Sequence, residues 1–181
     1  MNNIMKLFSI FVVCILQVQI ALSQQNQTTT EPTNVQRICK LNINPSLCIS
    51  TLDLDPRSKN ASAPELALIS VDATSKKVNE TLEYLISVRK NVTNAQDSTK
   101  YDACIKAYRT AVHMFLPAAL ADLKLKSRSY SRAASEMKSV VSVSDECQAQ
   151  FAGSSPLTER NKVVHDIAGM SSDFIRYFYE N

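Results

Sequence analysis

The cysteines are the residues of this chain whose type and spacing could do chemistry. Of the five, Cys14 lies in an N-terminal leader, and the other four are Cys39, Cys48, Cys104 and Cys147. No Cys-x-x-Cys pair occurs among them, which disfavours a zinc site. An even number of cysteines in an exported chain is typical of disulfides, and four cysteines allow three pairings.

Other residues that could do chemistry are few and dispersed. His113 and His165 are the only histidines, and lone histidines are more often structural than catalytic. The two glycines cannot form a phosphate-binding loop, and no Gly-x-Ser-x-Gly elbow occurs. Asp53 and Asp55 could form a carboxylate pair, but directly before Pro56 they are more simply a solvated turn. We therefore expect no enzyme, no cofactor and no metal.

The N-terminal segment has the pattern of a signal peptide. A lysine precedes an apolar run, and small residues, Ala21 and Ser23, occupy the positions that a signal peptidase reads. A transmembrane anchor is the alternative, but the continuous apolar core at 8–16 is too short to span a bilayer. The expected organisation is a signal peptide at 1–23, a disordered lead-in at 24–34 and one helical domain at 35–181.

The charge, the hydropathy and the sequons of the chain limit the kinds of molecule that it could bind or carry. A formal net charge of +3 over the whole chain argues against nucleic acid, which would require a concentrated basic face. No second apolar run of spanning length follows the leader, so we expect no membrane partner after cleavage. In a secreted chain four sequons could carry glycan, at Asn26, Asn60, Asn79 and Asn91.

The remaining pattern is helical. Two glycines in 181 residues are too few for the turns of a β-sandwich, and apolar residues recur at steps of three and four. Short helices are expected within 35–54, followed by long helices at about 64–88, 100–126, 131–151 and from Pro156 onward. The predicted apolar stripes are Leu68, Val71, Ser75, Val78, Leu82 and Leu85; Tyr108, Val112, Leu116, Ala119 and Leu123; Ala133, Met137, Val140, Cys147 and Phe151; and Val163, Ile167, Met170, Phe174 and Tyr177.

Four long helices joined by short links predict an all-α, up-and-down four-helix bundle, preceded by a short N-terminal helical hairpin and stapled by disulfides. Pro117 lies inside the second long helix, where it removes one backbone hydrogen bond. Because the apolar spacing continues across it, we expect a kink there rather than two separate helices.

A set of residues in a fixed order carries a resemblance to a known family. The residues are Ile38-Cys39, Pro45-Ser46-Leu47-Cys48, Leu52, Cys104, Tyr108, Leu123-Lys124, Tyr130, Cys147, Phe151 and Ser155-Pro156-Leu157-Thr158-Glu159-Arg160-Asn161. Over 35–179 this order resembles the plant pectin methylesterase inhibitor and invertase inhibitor family. The resemblance implies the disulfides Cys39–Cys48 and Cys104–Cys147. It also implies a protein that blocks a secreted plant enzyme by binding over its active-site cleft.

The link between the second and third long helices bears on the target. Invertase inhibitors of this family resemble one another in a Pro-Lys-Phe segment there, whereas this chain has Arg128-Ser129-Tyr130. The tyrosine resembles the pectin methylesterase branch, so pectin methylesterase is the favoured partner and acid invertase (beta-fructofuranosidase) the alternative. A second alternative is a non-inhibitory bundle similar to pollen-allergen relatives, or a carrier of a small apolar ligand, which a large internal cavity would favour.

The same link supplies the expected partner-binding residues, which are Lys124, Arg128, Ser129 and Tyr130. Tyrosine and arginine are enriched at the energetic centres of interfaces. In the alternative interpretation Tyr130 folds back over the end of the bundle. The basic cluster Lys124, Lys126, Arg128 and Arg132 would then be an ordinary solvated helix end. We expect the protein in the apoplast or cell wall, or in the vacuole if invertase is the target.

Overall fold

A computed structural model describes residues 33–125, 130–151 and 155–180, and within these ranges all regular structure is helical. The predicted signal peptide and most of the predicted lead-in lie outside the described residues. Among the helices that are described, none combines the length and the apolar character needed to cross a bilayer.

The N-terminal hairpin consists of two short helices, α1 (Asn34–Cys39) and α2 (Pro45–Leu52). Thr33 and Gln36 form a capping box at the start of α1, and the side chain of Asn44 caps α2. The Cys39–Cys48 disulfide joins the two helices, and both cysteines are fully buried. Helix caps and one disulfide bond therefore determine the local structure of the hairpin.

The bundle follows a 3₁₀ turn at Pro56–Asn60. Its helices are α3 (Ala63–Arg89); α4 (Ala95–Thr110), which continues through a π-helical turn (Ala111–Phe115) into α5 (Leu116–Lys124); α6 (Tyr130–Ala149); and α7 (Thr158–Glu180). The α3 helix packs against α4 and α7, and α6 packs against α7 and against the α4–α5 segment. Helices that follow one another in the chain are thus neighbours, which confirms the predicted up-and-down bundle.

One hydrogen bond fixes the hairpin to the bundle. The side-chain amide of Asn42, in the loop between α1 and α2, donates to the backbone oxygen of Met170 in α7 at 3.0 Å, and Asn42 is buried. Leu52 of α2 is fully buried in the same core that holds the bundle side chains. Since a buried amide without a partner would be costly, this bond favours one placement of the hairpin.

The second long helix begins five residues earlier than predicted, at Ala95 rather than Lys100. The side chain of Asn94 accepts a hydrogen bond from the backbone N–H of Asp97 at 3.0 Å. Asp97 also brings a negative charge to the positive end of the helix dipole. The polar composition that suggested a turn at 91–98 is partly that of a helix cap and first turn.

Near Pro117, where a kink was predicted, the structure has a π-helical turn at Ala111–Phe115, which ends two residues before the proline. The N–H of Leu116 donates to the oxygen of Ala111, five residues back, and the chain stays helical throughout. The expectation of one continuous helix is confirmed, and the predicted stripe residue Val112 packs against the core, although it is less buried than its neighbour Ala111. Because the π-turn accommodates one extra residue, Ala111 is fully buried and Val112 is only half-buried.

The last helix also differs from the prediction at its start. It begins at Thr158 rather than Pro156, because residues 155–157 form a turn. The predicted stripe position Val163 is 41% exposed, whereas Val164 is fully buried. The apolar spacing alone could not distinguish these two neighbouring valines.

In α3 the buried face is wider and more polar than predicted. Leu68 and Ser75 are only half-buried, while Ser70 and Thr74 are fully buried against α7. The hydroxyls of Thr74 and Ser171 lie 3.1 Å apart, and the Ser171 hydroxyl donates to the backbone oxygen of Ser70 at 3.1 Å. Small hydroxyl side chains thus fill the α3–α7 contact and satisfy one another's hydrogen bonds.

Candidate functional site

An ion pair closes the link between α5 and α6. Arg132, in the first turn of α6, donates from Nε to Asp122 at 2.9 Å and from a second guanidinium nitrogen to the other carboxylate oxygen. The Asp122 side chain is 6% exposed, and the hydrogen bonds from Arg132 hold its pKa below the ordinary value. A carboxylate near the negative end of a helix dipole is unfavourable alone, so the arginine compensates for it.

Two of the predicted partner-binding residues, Lys124 and Tyr130, lie on either side of the link. Lys124 is exposed at the end of α5, and Leu125 beside it is 66% exposed. Tyr130 is the first residue of α6, and its ring is half-buried against the core. The other two predicted partner-binding residues, Arg128 and Ser129, lie outside the described residues, as does Lys126 of the basic cluster.

The positions of Tyr130, Arg132 and Lys124 change how the link between α5 and α6 was interpreted from the sequence. Tyr130 folds back on the bundle at least in part, as the alternative interpretation expected. Arg132 is bound to Asp122 and so belongs to the structure of the link rather than to an open basic cluster. Lys124 remains an exposed cation at this end of the bundle.

The Ser-Pro-Leu-Thr stretch builds the turn between α6 and α7. The Ser155 hydroxyl oxygen accepts from the N–H of Leu157 at 3.0 Å, and the Ser155 carbonyl accepts from the Thr158 hydroxyl at 2.9 Å. Leu157 is fully buried. These contacts explain why the helix begins after the proline and not at it.

A chain of hydrogen bonds connects this turn, at the surface, to the buried hydroxyl of Tyr108 in α4. The Tyr108 hydroxyl donates to Asn161 at 2.8 Å, the Asn161 amide donates to Gln148 at 3.1 Å, and the Gln148 amide donates to the Thr158 hydroxyl at 2.9 Å. Burial raises the pKa of Tyr108, and the nearby charge of Asp145 raises it further. The tyrosine is therefore protonated, and a donor, at any physiological pH.

The second disulfide lies beside this network. Cys104 is four residues before Tyr108 in α4, and Cys147 directly precedes Gln148 in α6. Near the start of α7, the Arg160 guanidinium stacks 4.0 Å from the ring centroid of Tyr84 in α3. Many of the residues that carried the family resemblance therefore hold one end of the bundle together.

The hydrogen-bond network around Tyr108 was not predicted from the sequence. A tyrosine inside an apolar stripe was nevertheless a signal for a buried hydroxyl that needs a hydrogen-bond partner.

The candidate catalytic residues do not assemble into a site. His113 is exposed on the π-helical turn. His165 lies beside Asp145 of α6, at 2.8 Å between Nδ1 and Oδ1. Its neighbour in sequence, Asp166, pairs with Lys162. Within the described residues no group of three or more histidines, cysteines or acids is placed to hold a metal ion.

The predicted solvated turn at Asp53 and Asp55 has a structural explanation. Asp55 accepts from the backbone N–H of Arg57 at 2.9 Å and so caps the 3₁₀ turn. Its side chain also pairs with the Arg57 guanidinium, which lowers its pKa and which reaches Asp72 of α3 at 2.8 Å. The Asp55 carboxylate therefore has a structural role: it stabilises the turn that connects the hairpin to the bundle.

Three of the predicted glycosylation sites lie within the described residues, and each is exposed: Asn60, Asn79 and Asn91. Asn60 ends the 3₁₀ turn and Asn91 follows α3, whereas Asn79 lies within α3 and donates to the backbone oxygen of Ser75 at 2.8 Å. The fourth, Asn26, lies outside the described residues.

The fold and this site define a class of protein: a disulfide-stapled helical bundle with a helical hairpin in front, and no assembled catalytic group among its described residues. The sequence model described as "Plant invertase/pectin methylesterase inhibitor" matches residues 33–176. The chain belongs to this family, which is one of inhibitors and not of enzymes.

Two curated relatives come from the two branches of the family. The chain is 29% identical over 91 residues to a pectinesterase inhibitor from Actinidia deliciosa, a match that covers 50% of this chain and 49% of that protein. The match thus spans about half of that relative's length. It is 26% identical over 155 residues to "Cell wall / vacuolar inhibitor of fructosidase 1" from Arabidopsis thaliana, covering 84% of this chain and 71% of that protein.

Solved structures share the fold. A mutant form of a pectin methylesterase inhibitor from Arabidopsis superimposes with a TM-score of 0.66 at 20% identity, covering 80% of this chain and 96% of that one. A pectin methylesterase inhibitor from Arabidopsis thaliana superimposes with a TM-score of 0.60 at 18% identity, covering 83% and 97%.

Proposed function

We propose that this protein is a secreted inhibitor of a plant cell-wall carbohydrate enzyme, and that its target is a pectin methylesterase. The observation that carries the proposal is the family match across 33–176, which includes the hairpin, both disulfides and most of the bundle. Tyr130 at the α5–α6 link favours the pectin methylesterase branch. Inhibition occurs by a reversible complex that covers the active-site cleft and consumes no substrate.

The rigidity of the bundle supports inhibition by complex formation. The Asp122–Arg132 pair closes the α5–α6 link, and the Cys104–Cys147 bond clamps α4 to α6. The two contacts lie at opposite ends of α6, so a partner meets helices already held in place at both ends, and little conformational entropy is lost on binding. Lys124, Arg128, Ser129 and Tyr130 stay the proposed contact residues.

Acid invertase is the second candidate target. It is favoured by the relative named as an inhibitor of fructosidase, because that match covers 84% of this chain. The name of that relative also pairs the cell wall with the vacuole. A pectin methylesterase inhibitor would act in the apoplast, where the predicted leader would deliver it, whereas an invertase inhibitor could act in either place.

A carrier of small apolar ligands is supported less well. A groove of about 510 Å³ lies between α4 and α6 against the Cys104–Cys147 bond. Its lining includes the exposed charged residues Lys106 and Glu146 as well as apolar ones. A groove that is open to solvent and lined in part by charge does not favour an enclosed apolar ligand.

The test is inhibition by the purified mature chain with its disulfides intact. Acid release from methylated pectin is titrated for several plant pectin methylesterases at several pH values, beside an acid invertase assay on sucrose. We expect stoichiometric inhibition of a pectin methylesterase that is reversed when the proteins are separated. Inhibition of invertase alone would move the function to the second candidate, and inhibition of neither enzyme would contradict both.

Tyr130→Ala tests the proposed contact residues. If the ring contacts the enzyme, the variant should inhibit more weakly by about 1–3 kcal/mol in binding free energy. Because the ring is also half-buried against the core, thermal denaturation of the same variant is needed, and affinity is expressed per folded molecule. A lower melting temperature with unchanged affinity would show that Tyr130 only packs. Arg128→Ala should alter mainly the association rate and its salt dependence if it lies at the rim.

A further inference from the structure

A surface pocket of about 370 Å³ lies where the 3₁₀ turn meets α3, and Asn60 is one of its lining residues. Asn60 is also the first residue of a sequon, Asn60-Ala61-Ser62. Ligand pockets range upward from about 300 Å³, so this pocket has room for a small group. A sugar attached to Asn60 would start at the wall of a cavity and not on open surface.

The sequon at Asn60 stays accessible after the chain folds. Asn60 ends the 3₁₀ turn and is exposed, and Ser62 is exposed as well. The backbone between them is extended, with φ −71° and ψ 138° at Ala61 and φ −68° and ψ 166° at Ser62. Glycan transfer requires the asparagine amide and the hydroxyl two residues later, and an enzyme can reach both groups here.

The sequon at Asn79 is placed differently. All three of its residues lie inside α3, and the hydroxyl of Thr81 donates to the backbone oxygen of Lys77 at 2.8 Å. Thr81 is only 3% exposed. The folded helix therefore withholds this hydroxyl, so Asn79 can be modified only before α3 forms. Modification of Asn60 does not depend on that order.

The pocket beside Asn60 has an apolar wall and a basic edge. Leu68 is half-buried and keeps part of its side chain at the surface, while Ile69, which also lines the pocket, is buried. Arg57 lines the same pocket. Its Nε and one terminal nitrogen bind two carboxylates, and no hydrogen bond within the described part of the chain uses its other terminal nitrogen. One guanidinium nitrogen is thus available to an acceptor.

We infer that Asn60 carries an N-linked glycan whose first N-acetylglucosamine occupies this pocket. In the transfer, the Asn60 amide nitrogen displaces a lipid diphosphate from C1 of the donor oligosaccharide. An N–C1 bond replaces the C1–O bond, and one amide proton is released. The C–H face of the sugar then packs on Leu68, and its acetamide oxygen accepts a hydrogen bond from Arg57. The inference rests on the proposed function in one respect, because this transfer requires export.

The test uses the full chain, produced with its own leader in plant cells whose mannosidases are inhibited. An endoglycosidase can then trim each glycan to its first sugar. Asparagine-to-glutamine changes at the other sequons leave only Asn60, and the matched control leaves only Asn91, which is exposed after α3. Mass spectrometry measures occupancy. Thermal denaturation compares the trimmed chains with one in which every sequon is removed.

We expect Asn60 to be occupied, and the trimmed Asn60 chain to melt about 2–4 °C above the sequon-free chain. The trimmed Asn91 chain should melt within about 1 °C of it. Leu68→Ala, introduced with and without the sugar, should remove at least about half of the gain, and this comparison cancels its own effect on stability.

An empty Asn60 in an exported chain would overturn the inference and leave the proposed function intact. A gain at Asn60 no larger than that at Asn91 would do the same, because it would show that the sugar makes no specific contact. Retention of the chain inside the cell with every sequon empty would overturn both the inference and the proposal of a secreted inhibitor.

Discussion

At the scale of single residues, Tyr108 places a hydroxyl in the core and depends on one acceptor. Tyr108→Phe keeps the ring but leaves Asn161 without the donor that lies 2.8 Å away. We expect this change to lower the free energy of unfolding by about 1–3 kcal/mol, measured by urea denaturation at neutral pH. Asn161 is 3% exposed, so water cannot readily replace the lost donor.

Tyr84→Phe is the matched control for that measurement. Tyr84 is half-buried, and its ring lies under the Arg160 guanidinium, a contact that phenylalanine retains. The control should change stability by less than about 0.5 kcal/mol. If the two variants were equally stable, the buried hydrogen-bond chain would not contribute as proposed.

Asp122 gives a pH dependence whose sign follows from its pairing with Arg132. Its folded pKa lies below the ordinary value, so its stabilisation is present above the unfolded carboxyl pKa of about 3.9 and is lost as the pH falls through the folded pKa. Asp122→Asn should be less stable than the wild type at neutral pH, and the difference should narrow below about pH 4.

Denaturation at a series of pH values measures this difference. Asp166→Asn serves as the control, because Asp166 pairs with Lys162 on the surface, where the lysine side chain is 63% exposed. Exposed ion pairs contribute little, so this variant should stay close to the wild type at every pH. A difference for Asp122→Asn that stayed constant into strong acid would exclude the ion pair as its cause.

At the scale of secondary structure elements, the two disulfides restrain different lengths of chain. Cys39–Cys48 closes a separation of 9 residues within the hairpin, and Cys104–Cys147 closes 43 between two bundle helices. In the chain-entropy model, each bond lowers the conformational entropy of the unfolded chain. The resulting stabilisation is about 2.6 kcal/mol for the hairpin bond and about 4 kcal/mol for the bundle bond. Replacing both cysteines of a pair by alanine should therefore destabilise the chain more for the bundle pair than for the hairpin pair.

The order of destabilisation is measured by guanidinium denaturation of the two double-alanine variants. Peptide mapping of the wild-type chain under non-reducing conditions is the accompanying check on the pairing itself. A reversed order of stability would show that packing of the hairpin, and not loop closure, dominates. A peptide joining Cys48 to Cys104 or Cys147 would contradict the pairing.

At the scale of the whole molecule, Asn42 connects the hairpin to α7. Since Leu52 and Cys48 of the hairpin are fully buried in the same core as the bundle, we expect the hairpin and the bundle to unfold in one cooperative transition. Asn42→Ala should lower the stability of that transition by about 1–3 kcal/mol, because the oxygen of Met170 loses a buried donor.

Hydrogen exchange in the hairpin and circular dichroism of the bundle should report the same midpoint in urea. Asn44→Ala is a useful comparison, because it removes the cap of α2 without touching α7. Release of hairpin protection well before the bundle unfolds would show that the hairpin is an independent unit.

Much of the fold could be predicted from local signals in the sequence. Helix caps are such signals. Asn44 caps α2 with Pro45 next to it, and Ser62 pairs with Glu65 at the start of α3. These contacts span only three or four residues, so they can be predicted without knowing which distant residues pack nearby. Apolar periodicity gave the long helices and therefore the bundle, because only a buried face requires that spacing. The even cysteine count indicated disulfides, and the family resemblance supplied their pairing.

Tertiary structure decided the rest, because it depends on residues far apart in the chain. The choice of Ala111 over Val112, and of Val164 over Val163, follows from which neighbour meets the opposing helices. Tyr108 and Asn161 are 53 residues apart, and nothing local indicates that they would pair. A buried donor must find an acceptor, but only the assembled bundle, which brings Tyr108 of α4 to Asn161 of α7, determines which acceptor is within reach.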